Sequence, residues 1–218
     1  MREKKDNIWV YSLIGIGYLL FCSAIPSAMA LSLASVTGVA QNQYYVPFSF
    51  VTGILYVMLV FSYMGEQVEL TKNMSWKGIG EAAATAIILF VTINFIVSPG
   101  VSLLFPASAQ NYDANVADMM STPLVTFLQV AFVAPLFEEL IFRGLIMKRA
   151  LRMWSMITAV AVTAILFGVL HMNVVQGISA AAAGIVLCIF YGRRKSVGLN
   201  ILAHAIYNGM VFWLAFVS

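Results

Sequence analysis

No charged residue occurs between Ile8 and Gly65, and none between Glu81 and Asp113. Runs of that length and polarity exclude most folds. A bilayer crossing takes roughly 20 apolar residues, and backbone polar groups in lipid must pair within their own segment, which selects helices for such runs. Only 10% of the 218 residues are charged, against about 25% in soluble domains. The fold class is therefore all-α, a polytopic transmembrane helical bundle. Seven spans are predicted: Ile8–Leu33, Pro47–Met64, Gly80–Ser98, Pro123–Met147, Trp154–His171, Val174–Tyr191 and Val197–Val217. The stretch Pro99–Thr122 reads as one polar loop. The whole of 1–218 reads as a single integral membrane domain. The first apolar run is too long for a signal-peptide core and is taken as a retained span.

Lys and Arg cluster at Arg2/Lys4/Lys5, Lys72/Lys77, Lys148/Arg149/Arg152 and Arg193/Arg194/Lys195. With seven spans these all fall on one side. The positive-inside rule then places the N-terminus in the cytoplasm and the chain as a multi-pass cell-membrane protein. The net charge of +3 follows from this asymmetry, and no nucleic-acid motif accompanies it. Cys22 and Cys188 form no CxxC and read as small packing residues. The Gly- and Ala-rich stretch Gly177–Gly184 suits close helix packing.

Against this background Glu138, Glu139 and Arg143 stand out, since each ionised group at membrane depth costs roughly 2.5–3.5 kcal/mol on insertion scales. Glu139 and Arg143 are four apart, share a helix face and can neutralise each other. Glu138 points about 100° away. Its neighbours at four residues, Ala134 and Phe142, offer no partner, so it looks to a water, a metal or a histidine from another helix. Pro135, three residues earlier, can open the backbone near the carboxylates. The two histidines, His171 and His204, both lie in apolar surroundings. Phe167 is one turn before His171, and Asn208 is one turn after His204 on the same face. Taken singly, each is an ordinary interfacial or interhelical polar residue. Together they are parts for activating water and stabilising an oxyanion. Glu138 and His204 each lie about ten residues, roughly 15 Å, from a basic loop, whereas His171 falls deeper. A hydrophilic cavity from the basic, cytoplasmic end is the expected access route.

The sequences EELIFRG at Glu138–Gly144, FGVLH at Phe167–His171 and HAIYN at His204–Asn208 resemble the EExxxR, FxxxH and HxxxN motifs of the CAAX protease and bacteriocin-processing (CPBP) family, also called the Abi family. The resemblance covers Pro123–Gly209, the motif-bearing core. It implies an intramembrane endopeptidase similar to type II CAAX prenyl endopeptidases. By that resemblance Glu138 activates the hydrolytic water, Glu139 and Arg143 support the site, and His171 helps hold the water. His204 and Asn208 stabilise the oxyanion, and Phe167 belongs to the supporting set. Glu138, His171 and His204 are also a plausible zinc-ligand set; HExxH is absent, and a metal-free glutamate mechanism is preferred. The substrate implied is a membrane-associated peptide or protein. A compact chain suits a bacterial member. Two other classes stay open: a catalytically idle peptide-binding or bacteriocin-immunity protein, and an ion or proton transporter.

Overall fold

The computed structural model describes residues 7–217; Arg2, Lys4 and Lys5 lie outside them. Eight helices account for nearly all of it, and no strand occurs among the described residues. They are α1 Ile8–Thr37, α2 Gln41–Met64, α3 Trp76–Leu104, α4 Pro106–Met119, α5 Pro123–Met153, α6 Met156–Val169, α7 Val174–Arg194 and α8 Val197–Val217. Six are long and apolar enough to span a bilayer, and α6 is a shorter apolar helix. Two expectations are corrected. The fifth predicted span, Trp154–His171, is only this 14-residue helix, about 21 Å long. The predicted loop Pro99–Thr122 is mostly helix: α3 runs on to Leu104, and α4 starts at Pro106. Proline is well placed at the first position of a helix, where its missing N–H is not needed.

Three helices share a proline-linked device. Ile25, Ser98 and Ala134 each donate their backbone N–H five residues back, to Leu20, Ile93 and Gln129. Each is followed directly by a proline, Pro26, Pro99 or Pro135. Proline has no N–H and its ring crowds the carbonyl four back, so the preceding turn widens into a short π segment. In α5 the widening covers Gln129–Val133, upstream of Pro135. A second π segment, Leu140–Met147, begins directly after Glu139 and has no proline behind it.

The basic residues gather at one end. Glu66 lies 2.8 Å from Arg149 and 2.6 Å from Arg152, with Lys148 at 3.0 Å. Burial pushes the Glu66 carboxyl up, but bonds from Arg152 and Lys148 outweigh it and hold the group below the usual carboxylate range. Asn73 donates to the carbonyls of Arg194 and Lys195, so the segment after α2 meets the ends of α5 and α7 here. At the other end, Ser108 of α4 joins Asn173 in capping α7. Its hydroxyl lies 3.0 Å from Asn173 Oδ1 and accepts from the N–H groups of Val174 and Val175. The short α6 therefore does pass from the basic end to the opposite one, where α4 covers its turn.

α6 and α7 pack at backbone contact. A Cβ on Gly168 would come 2.5 Å from the Gly177 carbonyl oxygen and 2.8 Å from Ala181 Cβ. The Gly177–Gly184 face is thus used for close packing, and it sets where Phe167 and His171 stand. Gly168→Ala is expected to force the helices apart and lower stability by about 1–3 kcal/mol. Thermal unfolding checks this, and an unchanged midpoint would mean the contact is slack.

Candidate active site

The buried centre lies on α5. Glu139 and Arg143 are both fully buried, and Arg143 Nη1 donates to Glu139 Oε1 at 2.9 Å. The same carboxylate oxygen accepts from His204 Nδ1 of α8 at 2.8 Å, while Oε2 accepts from Asn200 Nδ2 at 3.3 Å. Three donors therefore satisfy this carboxylate, as a buried charge requires. The Arg143 guanidinium also lies 4.7 Å over the Phe167 ring, a favourable cation–π contact, and Nη2 reaches the Gly184 carbonyl at 3.4 Å.

Glu138 faces elsewhere, as a 100° turn requires. Its Oε1 accepts from the Tyr18 hydroxyl of α1 at 3.1 Å, and its Oε2 lies 3.7 Å from His204 Nε2. His204 thus sits between the two carboxylates. A carboxylate only accepts, so the bond to Glu139 puts a proton on Nδ1 and turns Nε2 toward Glu138.

Phe167 is the hub that brings α6 to this pair. Its ring packs edge-on against Phe142 at 5.0 Å, His171 at 4.9 Å and His204 at 6.2 Å. His171 does not bond Glu138. Its Nδ1 lies 2.9 Å from the carbonyl oxygen of Phe167, four residues back. The Nδ1–H must donate there, leaving Nε2 as an acceptor. The depth mismatch expected for His171 dissolves, because α5 continues past Lys148 to Met153. Glu138 is as many residues from Met153 as His171 is from Met156. Asn208 Nδ2 donates to the backbone carbonyl of Val130 at 2.7 Å.

Two residues of this constellation escaped sequence reasoning. Asn200 carries a local signal: it precedes His204 by the same interval at which Asn208 follows. Tyr18 carries none, being one aromatic residue in an apolar run on a distant helix. For the zinc-ligand set, no group of three His, Cys, Asp or Glu side chains among the described residues is placed to share an ion. Glu138 Oε2 and His204 Nε2 approach to 3.7 Å. The Nδ1 bond of His171 leaves its Nε2 open, an orientation a metal ligand could use, but the three side chains do not converge on one point as arranged. A small cleft at the basic end is lined by Phe61, Leu140, Gly144, Lys148, Tyr191 and Lys195, among others, and an apolar groove lies against Met29, Leu33 and Phe48. Neither reaches Glu138, His171 or His204, so the expected access route coincides with neither.

The fold and this site define a multi-pass helical membrane protein with a carboxylate–histidine centre held inside the bundle. Residues 120–210 match the family model described as type II CAAX prenyl endopeptidase Rce1-like. A protein of Bacillus subtilis (strain 168) named "Putative membrane peptidase YdiL" is 25% identical over 103 residues, 47% of this chain. That alignment spans 42% of the relative's own length. No solved structure matches. Over residues 120–210 the chain is thus similar to type II CAAX prenyl endopeptidases, and this likeness, with the peptidase relative, supports a membrane protease at family level.

Proposed function

We propose that the protein is an intramembrane endopeptidase that hydrolyses peptide bonds of membrane-associated peptides or proteins. The observation that carries this reading is His204 lodged between two carboxylates, bonded to the buried Glu139 and facing Glu138. Glu139 already has three donors and Glu138 has one, so Glu138 is the carboxylate with capacity left for a water proton. Glu138 Oε2 removes a proton from water, and the resulting hydroxide forms a C–O bond to the scissile carbonyl. Asn208, through its second amide N–H, stabilises the tetrahedral oxyanion, and His204 joins it when Nε2 as well as Nδ1 carries a proton. The C–N bond then breaks, and Glu138 returns the proton to the leaving amine. His171 Nε2, free as an acceptor, holds the water. The basic end faces the cytoplasm, and the N-terminus with it. The family match makes prenylated CAAX-type tails one substrate class to try; bacteriocin processing or self-immunity is a family-level alternative for the same site.

The test is cleavage of farnesylated and non-prenylated CAAX-type peptides by the purified protein in lipid nanodiscs. Release of a C-terminal fragment is expected, and cleavage of neither peptide would count against this substrate class. The reading is metal-free. Chelator treatment is expected to leave cleavage unchanged, and loss that only zinc restores would overturn that part.

Tyr18 holds Glu138 Oε1 and so aims Oε2. Tyr18→Phe keeps the ring against Phe142, 5.9 Å away, and removes only the donor. Hydrogen bonds to charged groups contribute about 1.5–3 kcal/mol, so kcat should fall ten-fold or more with KM nearly unchanged. A wild-type kcat would show that the hydroxyl is a bystander.

A further inference from the structure

Asn200, His204 and Asn208 recur every four residues along α8 and so share one face. The first two reach the carboxylates. Asn208 instead gives its amide to the Val130 carbonyl, at 2.7 Å. That carbonyl has a particular need of a donor. In the widened turn of α5, Ala134 N–H bonds back to Gln129, skipping Val130. At the same spacing Val130 would be served by residue 135, which is proline and has no N–H. An unpaired carbonyl inside a membrane bundle is costly. At the break in α1 a side chain also serves a carbonyl ahead of the proline, one position later: the carbonyl of Cys22, four residues before Pro26, accepts from the Tyr45 hydroxyl of α2 at 3.2 Å.

We infer that Asn208 is a positioning residue whose side-chain amide replaces the backbone donor that Pro135 lacks, pinning α5 to α8 in the register at which Glu138 and Glu139 flank His204. The amide has two N–H groups. One is committed to Val130, and the other is left for the oxyanion role proposed above. The pinning stands on geometry alone and rests on the peptidase reading only for its catalytic consequence.

The inference makes Asn208 and Pro135 energetically coupled, which a packing role or an oxyanion role would not. The test is thermal unfolding of the purified wild type, Asn208→Ala, Pro135→Ala and the double variant in nanodiscs. Stranding a buried carbonyl should lower the Asn208→Ala midpoint by roughly 3–8 °C. In the Pro135→Ala background residue 135 again carries an N–H, and the same substitution should lower the midpoint by less than about a third as much. Equal shifts in the two backgrounds would overturn the inference. Should Pro135→Ala fail to fold, Asn208→Asp decides. It keeps the shape but sets acceptor oxygens against the Val130 carbonyl, so it should melt below Asn208→Ala, and melting at or above it would overturn the inference. Melting needs no substrate, so a wild type that cleaves nothing would sink the peptidase reading and leave this cycle intact.

Discussion

Glu138→Gln is expected to abolish peptide cleavage while leaving the bundle folded. Glutamine keeps the side-chain shape, and its amide oxygen can still accept from Tyr18, which in the wild type donates at 3.1 Å. What it loses is basicity. General-base catalysis contributes on the order of 10²–10⁴-fold, and turnover should fall by at least that. Thermal unfolding should move little, because the Glu139–Arg143–His204 cluster beneath is untouched. Near-normal turnover in the purified variant would remove Glu138 from the role proposed for it.

Arg143→Ala has the opposite profile, with stability the larger casualty. Both partners are fully buried, and among the described residues Arg143 Nη1 supplies the only guanidinium bond Glu139 receives. Breaking one side of a buried pair leaves an uncompensated charge and costs about 3–5 kcal/mol. His204 and Asn200 would still donate to Glu139, which places the expectation toward the lower end. The guanidinium also stacks over Phe167, so its loss should loosen the hub that holds His171 and His204. A variant that melts like the wild type would mean that water reaches Glu139.

The gross fold was legible because lipid leaves few choices. Apolar runs predicted the helices, and the span Val197–Val217 coincides with α8. The misses have local causes. α4 is polar enough to pass for a loop, yet Pro106 at its first position is a helix-start signal that hydropathy ignores. The trailing turn of α5 carries Lys148, Arg149 and Arg152, which read as a loop because charge was taken as the end of the span. That error also created the apparent depth mismatch of His171. In the site, the four-residue spacing foretold the Glu139–Arg143 pair. A histidine partner for Glu138 was among the expectations, and His204 faces it. Tyr18 could not be read, because its contact with Glu138 joins α1 to α5 across tertiary structure alone. The bond from His204 to Glu139 was equally out of reach, since spacing cannot say which of two adjacent carboxylates a distant ring will choose.

The central claim, that Glu138 drives peptide-bond hydrolysis in the membrane, is tested most directly by comparative peptidomics of membranes from cells carrying the wild type or Glu138→Gln at matched abundance. The account predicts a set of fragments with shared cleavage sites that appears with the wild type and is lost in the variant. Indistinguishable peptide sets, with both proteins folded and present, would contradict it.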